Sequence, residues 1–285
     1  MRDKKESVMK GIFLLSALMS IFALITIIIF MFAKGLPIML EYGLTDFIFG
    51  TEWRATNNPP VFGLLPMILG SLSVTIGAAL IGVPIGVLTA IFMAEFCPPF
   101  LYKLLKPAVN LMASIPSIVM GYFGLQILVP FIRNTFGGPG FSMLAAIILL
   151  SVMILPTIIE LSEAALRSVP RTYYTGSIAM GATHERSVFK VLLPAAKSGV
   201  LSSIVLGIGR AIGETMAVVL VAGNQPLIPS ELTMGVRTLT TNIILEMSYA
   251  SGAHREALIA TGVVLFVFIL IINGGFLILK NRRDN

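Results

Sequence analysis

The 285-residue chain carries 20 Lys and Arg against 14 Asp and Glu, a net charge of +6, yet only 12% of its residues are charged and 56% are hydrophobic, with a mean hydropathy of +0.93. That balance excludes an ordinary soluble domain and predicts an all-α polytopic membrane protein, whose basic excess belongs to orienting loops and not to a nucleic-acid surface. Cys97 is the single cysteine and His184 and His254 stand far apart, so an internal disulfide is excluded and metal, redox or catalytic chemistry is not expected.

Six stretches are long and apolar enough to span, about Gly11 to Ala33, Pro66 to Ala94, Ala108 to Pro130, Phe141 to Ile159, Gly199 to Ala222 and Ala257 to Leu279. Their runs are continuously apolar instead of alternating, so helices are predicted. The first follows Arg2, Lys4, Lys5 and Lys10 and is too long for a signal h-region, so it reads as an uncleaved anchor. Between the first two spans, Lys34 to Leu65 carries Trp53 and the turn-forming run Asn57-Asn58-Pro59-Pro60, predicting an irregular cap at the membrane surface that meets something outside.

Pro84, Pro116 and Pro156 fall in or near spans and predict static kinks. Ser71, Ser73, Thr75, Ser114 and Ser117 are expected to bond their own backbone, not a substrate. The segment from Glu160 to Ser198 is the most polar long stretch, with helix-forming residues after Pro170 and a stop at Pro194. It predicts a docking surface for a partner. After the fifth span, Leu239 to Met247 is apolar but too short to cross, and predicts a helix near the interface or at the outer mouth. Arg237 beside it is expected to be solvated. With both ends inside, inner segments hold fourteen of the Lys and Arg, outer segments hold five (Lys34, Arg54, Arg133, Arg237, Arg255), and Arg210 lies in the membrane. Both termini are therefore predicted to be cytoplasmic.

Arg210 and Glu214 interrupt the fifth span. An arginine at that depth costs roughly 2.5 to 3.5 kcal/mol on insertion scales, which singles out a water-filled path or a charged ligand. A planar guanidinium presents a fork of donors to two oxygens of an anion and keeps its charge at any working pH. Arg before Glu at i and i+4 is the weaker orientation for helix support, so Glu214 is expected to neutralise Arg210 between binding events. The competing reading is a buried salt bridge that fixes helix position. Gly209 and Gly213 form a small-xxx-small pattern and predict close helix packing, or else leave space beside Arg210.

Two motifs resemble known families. Gly181-Ala182-Thr183, followed by Val191 and Leu193-Pro194, resembles the EAA loop of ABC importer permeases, a short helix that docks on the ATPase. Thr175, Gly176 and Ser177 stand where that family carries Glu-Ala-Ala, while Glu163-Ala164-Ala165 is out of register. Gly209-Arg210-Ala211-Ile212-Gly213-Glu214-Thr215-Met216-Ala217 resembles the fifth-helix signature of phosphate-specific permeases of the Pst type. Gly63-Leu64-Leu65-Pro66, Gly70-Ser71-Leu72 and Ile115-Pro116-Ser117-Ile118-Val119-Met120-Gly121 are similar to the entries of its second and third helices. The likeness runs from about Trp53 to the C-terminus and is nearer the C subunit (PstC-like) than its A partner.

The resemblance implies a type I ABC importer permease translocating inorganic phosphate by alternating access, a single permease domain over 1–285. In it 1–65 form the anchor and outer loop, and 66–279 form a core with the coupling loop 160–198. It places Arg210, Glu214 and Thr215 in the substrate path and Gly181, Ala182, Thr183, Val191, Leu193 and Pro194 at the ATPase. Its implied partners are a PstA-like permease, two PstB-like ATPase subunits, an extracytoplasmic PstS-like phosphate-binding protein and a PhoU-like regulator. No Gly-x-x-x-x-Gly-Lys-Ser/Thr run is present, so ATP and Mg would sit on the separate ATPases and not on this chain. Importers of sulfate, molybdate or tungstate remain alternatives, and an ion-coupled secondary transporter using Glu214 is a more distant one.

Overall fold

The structure is a computed structural model describing residues 2–284, and the side chains of Glu6 and of residues 8–275. The side chains of Arg2, Lys4, Lys5, Lys280, Arg282 and Arg283, and those of the last four residues of the sixth predicted span, 276–279, lie outside the described residues.

The order is α1 (Arg2–Tyr42), α2 (Leu44–Phe49), β1 (Trp53–Arg54), β2 (Val61–Phe62), α3 (Leu65–Ile91), α4 (Pro99–Ser114), α5 (Ser117–Phe123), α6 (Val129–Phe136), α7 (Met143–Arg167), α8 (Arg171–Ala179), α9 (His184–Ser187), α10 (Leu193–Ala195), α11 (Lys197–Gly213), α12 (Met216–Val221), α13 (Leu239–Glu246) and α14 (Gly252–Asp284). Single π turns, Phe92–Phe96, Gly124–Leu128 and Val188–Leu192, follow α3, α5 and α9. The predicted all-helical class holds; among the described residues the strands are one antiparallel pair, with Trp53 opposite Phe62.

Four helices are long and apolar enough to cross a membrane, and two bent pairs make up to six spans. The third predicted span is not one continuous helix. α4 and α5–α6 meet at 99°, because Pro116 lacks an N–H and pushes Ile115 into an extended conformation (φ −67°, ψ 125°). Pro84 and Pro156, by contrast, stay inside α3 and α7. The fifth predicted span is also broken, at Glu214 (φ −69°, ψ 127°). Pro194 is not the predicted stop: α10 runs through Ala195 and the chain turns by 70° at Ala196. The π turn before Pro194 has already opened the ladder, so the missing N–H falls in a first turn.

Two boundaries shift for packing reasons. α1 extends through Lys34 to Tyr42 because Ile38 and Met39 are buried in one cluster with Ala257, Leu258 and Ala260 at the start of α14. α7 runs past Glu160 to Arg167 because Glu163 is buried among cations. α1 and α14 are antiparallel, with Phe32 against Phe266 at 6.3 Å, and a Cβ on Gly35 would lie 2.8 Å from Ala260 Cα. Both chain ends therefore share one face, here the terminal face; the strands lie on the opposite, hairpin face.

The centre of the molecule is the α3–α7 pair. Gly77, Gly82 and Gly86 of α3 receive Ile147, Ile154 and Ile158 of α7, and a Cβ at each glycine would meet an isoleucine carbon at 2.5, 2.7 and 2.8 Å. A glycine opposite each isoleucine lets the backbones close over side chains that are almost wholly buried. Gly82→Val is expected to overpack this seam and cost about 1–3 kcal/mol, and Ile154→Ala to leave a cavity costing about 2–5 kcal/mol. Thermal unfolding in detergent measures both; an unchanged midpoint in either variant contradicts the seam.

Candidate functional site

The site is built where two broken helices meet. α11 rises from the terminal face and stops at Gly213; Glu214 and Thr215 run as two non-helical residues before α12 completes the crossing. The Glu214 carboxylate accepts a hydrogen bond from Ala217 N at 3.2 Å, capping the restart, and its carbonyl accepts from Thr240 Oγ1 of α13 at 3.2 Å. Thr215 Oγ1 donates to Gly213 O at 3.2 Å. α5 closes the other side, since a Cβ on Gly121 would lie 2.8 Å from Ala217 Cα. The ends of α5, α12 and α13 thus converge on the break.

Arg210 lies on the last turn of α11, half-buried, and donates Nη1 to Thr157 Oγ1 of α7 at 3.1 Å. The expected pairing with Glu214 is absent. Their spacing would set them on one face only if the helix continued, and Glu214 instead leaves helical geometry and turns onto the α12 backbone. No carboxylate among the described residues forms an ion pair with Arg210. Gly209 and Gly213 face open space, since a Cβ added at either would have nothing within 4 Å, whereas Gly207 makes the close approach within this chain, 2.7 Å from Ile158. The result is a guanidinium with free donors beside an open, glycine-lined surface at a backbone break. That arrangement suits an anion with several acceptor oxygens.

Over the break, on the hairpin face, lies an ionic cluster that the sequence did not disclose. Glu246 of α13 receives Arg237 Nη1 at 2.6 Å on one oxygen, and Trp53 Nε1 at 2.9 Å and His254 Nε2 at 2.8 Å on the other. Arg237, expected to be solvated, is only 15% exposed and also donates to Asn224 O and Asn242 Oδ1. Trp53, expected at the membrane surface, is buried with Phe62 and Leu64. α13 does not float at the interface: Thr238 and Thr241 form a capping box, and Leu239 N donates to Ser71 Oγ of α3 at 2.9 Å. Burial alone would raise the Glu246 pKa, but the hydrogen bonds from Trp53, His254 and Arg237 outweigh it and hold the carboxyl below its ordinary range.

At the terminal face the segment from Gly181 to Pro194 folds as a turn and two short helices joined by a π turn. Gly181 turns at φ +85°, a conformation that glycine adopts without strain, and Thr183 Oγ1 then caps α9 by accepting Arg186 N at 3.3 Å. α8 has no buried residue. Between it and Val191 lies an open depression lined by Thr172, Tyr173, Gly176, Ser177 and Met180. Ala182, Val191 and Leu193 are half-buried and Pro194 is exposed. Beneath them Val188 and Leu192 are buried against Ile91, Ala94 and Leu166.

Side chains of this segment also grip the π turn at the end of α3. Arg171 pairs with the Glu95 carboxylate at 3.0 Å, His184 Nε2 lies 3.2 Å from Glu95 O while its Nδ1 meets Tyr174 OH at 3.0 Å, and Arg167 Nη2 donates to Met93 O at 3.0 Å. Glu163, read from sequence as an out-of-register motif, anchors Tyr102, Lys106 and Arg167 at 2.7, 3.0 and 2.8 Å. A lone buried carboxylate among three potential donors was the available signal.

Glu246→Gln leaves Arg237 without its counter-charge and is expected to destabilise the hairpin face by about 3 kcal/mol. Because the Glu246 pKa is depressed, its contribution is complete above the ordinary carboxylate value of about 4.3 and is lost as pH falls through the lower folded value. Trp53, the single tryptophan, reports this directly. Its emission should shift as pH falls below about 4.3, and that acid shift should be lost in Glu246→Gln; the same acid shift in both proteins contradicts the assignment.

Known proteins are similar in sequence and in fold. The family model described as binding-protein-dependent transport system inner membrane component matches residues 82–285. The chain is 42% identical over 265 residues to the probable ABC transporter permease protein YqgH of Bacillus subtilis, spanning 90% of this chain and 86% of that one. It is 32% identical over 294 residues to the probable phosphate transport system permease protein PstC of Methanocaldococcus jannaschii, spanning 95% and 93%. In fold it superimposes on a chain from the crystal structure of a bacterial alginate ABC transporter in complex with alginate pentasaccharide-bound periplasmic protein, with a TM-score of 0.64, 17% identity, and 96% and 94% of the two chains covered. Matched by that family model over most of its length, the chain belongs to the family of binding-protein-dependent transport system inner membrane components.

Proposed function

We propose that this chain is the C-type membrane subunit of an ATP-driven importer for inorganic phosphate, working by alternating access. The observation that carries the reading is Arg210: a half-buried guanidinium with no carboxylate partner among the described residues, at a break in the membrane and beside the open face of Gly213. Phosphate supplies the counter-charge and the acceptor oxygens that the site lacks. Glu214 and Thr215 shape the path by holding the break open, so Glu214 acts through the α12 backbone and not as a counter-ion. The relatives' names, an ABC permease and a phosphate permease, support the substrate class.

The whole chain then serves as one permease domain with both termini cytoplasmic, so the terminal face meets two ATPase subunits, which hold ATP and Mg. Gly181 to Pro194 and the exposed helix α8 form the surface for one of them. The hairpin face meets an extracytoplasmic phosphate-binding protein, and the open surface of Gly209 and Gly213 is left for a related permease subunit, giving a heterodimer.

ATP-dependent phosphate uptake in cells lacking this permease tests the reading, comparing the intact gene with Arg210→Gln at matched membrane expression. A loss of at least tenfold with the complex still assembled is expected, as for removal of a charged hydrogen-bond donor worth about 1.5–3 kcal/mol. Uptake equal in both variants would demote Arg210 to packing; no uptake with either, despite assembly, would point to sulfate, molybdate or tungstate.

Coupling has its own test. His184→Ala removes one of the two links from the coupling loop to Glu95, leaving the Arg171 pair, without touching Arg210, and is expected to raise ATP consumed per phosphate moved. His184→Gln, whose amide donates and accepts at the same two places, should recover part of it. An unchanged ratio in the alanine variant counts against the grip.

A further inference from the structure

We propose that the cleft between α1 and α14 at the hairpin face is a binding site for one anionic phospholipid. The cleft has a volume of about 430 Å³. Its apolar wall is Phe30, Met247 and Ile259, and its polar rim is Lys34, Arg255 and Glu256. Phe30 and Lys34 are one turn apart on α1, and Arg255 and Ile259 are one turn apart on α14. Each helix therefore presents an apolar side chain and, one turn nearer the hairpin face, a cation. The two helices touch closely alongside, at Gly35 against Ala260 and at Gly262 against Met31. This contact fixes the cleft's walls.

The rim is electrostatically incomplete. Neither Lys34 nor Arg255 forms an ion pair with any carboxylate among the described residues, Glu256 included. Two cations against one carboxylate leave the rim with an excess of one positive charge. Its depth in the membrane follows from the helices. Lys34 stands 23 residues after Gly11, which at a rise of about 1.5 Å per residue is enough to cross a hydrocarbon core of about 30 Å. Arg255 lies three residues into the opposing span, Gly252–Gly275. Both cations thus sit at headgroup level with Phe30 and Ile259 at acyl-chain level.

A phospholipid satisfies both layers at once: its phosphate lies against Lys34 and Arg255, and its chains cover the apolar wall. Free inorganic phosphate would leave that wall wet. A zwitterionic headgroup brings its own cation to a rim that already has an excess. An anionic headgroup of the phosphatidylglycerol class fits, and would add to the Gly35–Ala260 and Met31–Gly262 contacts that hold α1 against α14. This site is independent of phosphate transport, since it concerns only the seam between α1 and α14.

Native mass spectrometry of the intact complex in mild detergent provides the test, with dioleoyl phosphatidylglycerol titrated against dioleoyl phosphatidylcholine. One phosphatidylglycerol should be retained per copy of this chain, in preference to phosphatidylcholine. Each of Lys34→Gln and Arg255→Gln should weaken retention about fivefold, the effect of about 1 kcal/mol for one basic residue at an anionic surface, while Lys34→Arg should keep it. Both residues are exposed, so the variants are expected to fold, and their unfolding midpoints check this. Equal retention of the two lipids, unchanged retention in the double variant, displacement of the lipid by equimolar inorganic phosphate, or a cross-link from Phe30→Cys to a neighbouring permease segment filling the cleft would each overturn the proposal.

Discussion

A polypeptide that leaves helical geometry inside a bilayer must satisfy the freed backbone groups with protein or with water held by protein. The break at Glu214 and Thr215 imposes that demand, and the surrounding elements answer it. The Glu214 carboxylate accepts from Ala217 N, Thr240 Oγ1 donates to Glu214 O, and α5 shields α12 through the small face of Gly121. Thr240 can reach only because α13 is pinned to α3 by Ser71 and capped by Thr238 and Thr241. The hairpin face in turn holds α13 through Glu246. Moving any one of these supports would leave a carbonyl or an N–H unsatisfied at a depth where each such group costs several kcal/mol.

The cationic site is a by-product of the same break. Had α11 continued as a regular helix, Arg210 and Glu214 would stand one turn apart on a common face and neutralise each other. Turning Glu214 onto the α12 backbone spends its acceptor locally and leaves the Arg210 charge uncompensated among the described residues. Thr157 orients the guanidinium through one donor but supplies no charge. A neutral hydroxyl partner fixes direction while leaving the strong, charge-assisted bonds for a ligand. The open charge beside the break thus comes from backbone geometry as much as from the choice of arginine.

Much of this was legible in the sequence. Spans, the membrane arginine and the coupling segment follow from hydropathy, insertion cost and motif spacing, because those signals are local. Pro116 marked the bend in the third span, whereas the break in the fifth was not legible, because hydropathy is blind to backbone direction and Glu214 carries no breaking signal. Trp53, Arg237, Glu246 and His254 lie up to about two hundred residues apart in the chain, and only tertiary packing brings four such ordinary residues onto one carboxylate. Glu163 was discounted because its motif register was wrong, yet its burial beside Lys106 and Arg167 gives it a structural role that no register test could find.

Where this architecture can move is constrained by where it is rigid. α3 and α7 are locked by the glycine–isoleucine seam, and α3 is held at both ends: Ser71 ties it to α13 on the hairpin face, and Arg171, His184 and Arg167 grip its π turn on the terminal face. A displacement of α8 and α9 is therefore transmitted to α3 and α7 as a body and is not absorbed by a flexible loop. The joints left to bend are Ile115–Pro116, Ala196 and Glu214–Thr215, where the helical ladder is already interrupted. Two of them flank α11, the helix that carries Arg210. α11 itself is held to α7, by Gly207 against Ile158 and by Arg210 on Thr157, so it belongs with the α3–α7 body and the two flanking joints set it apart from α10 and α12.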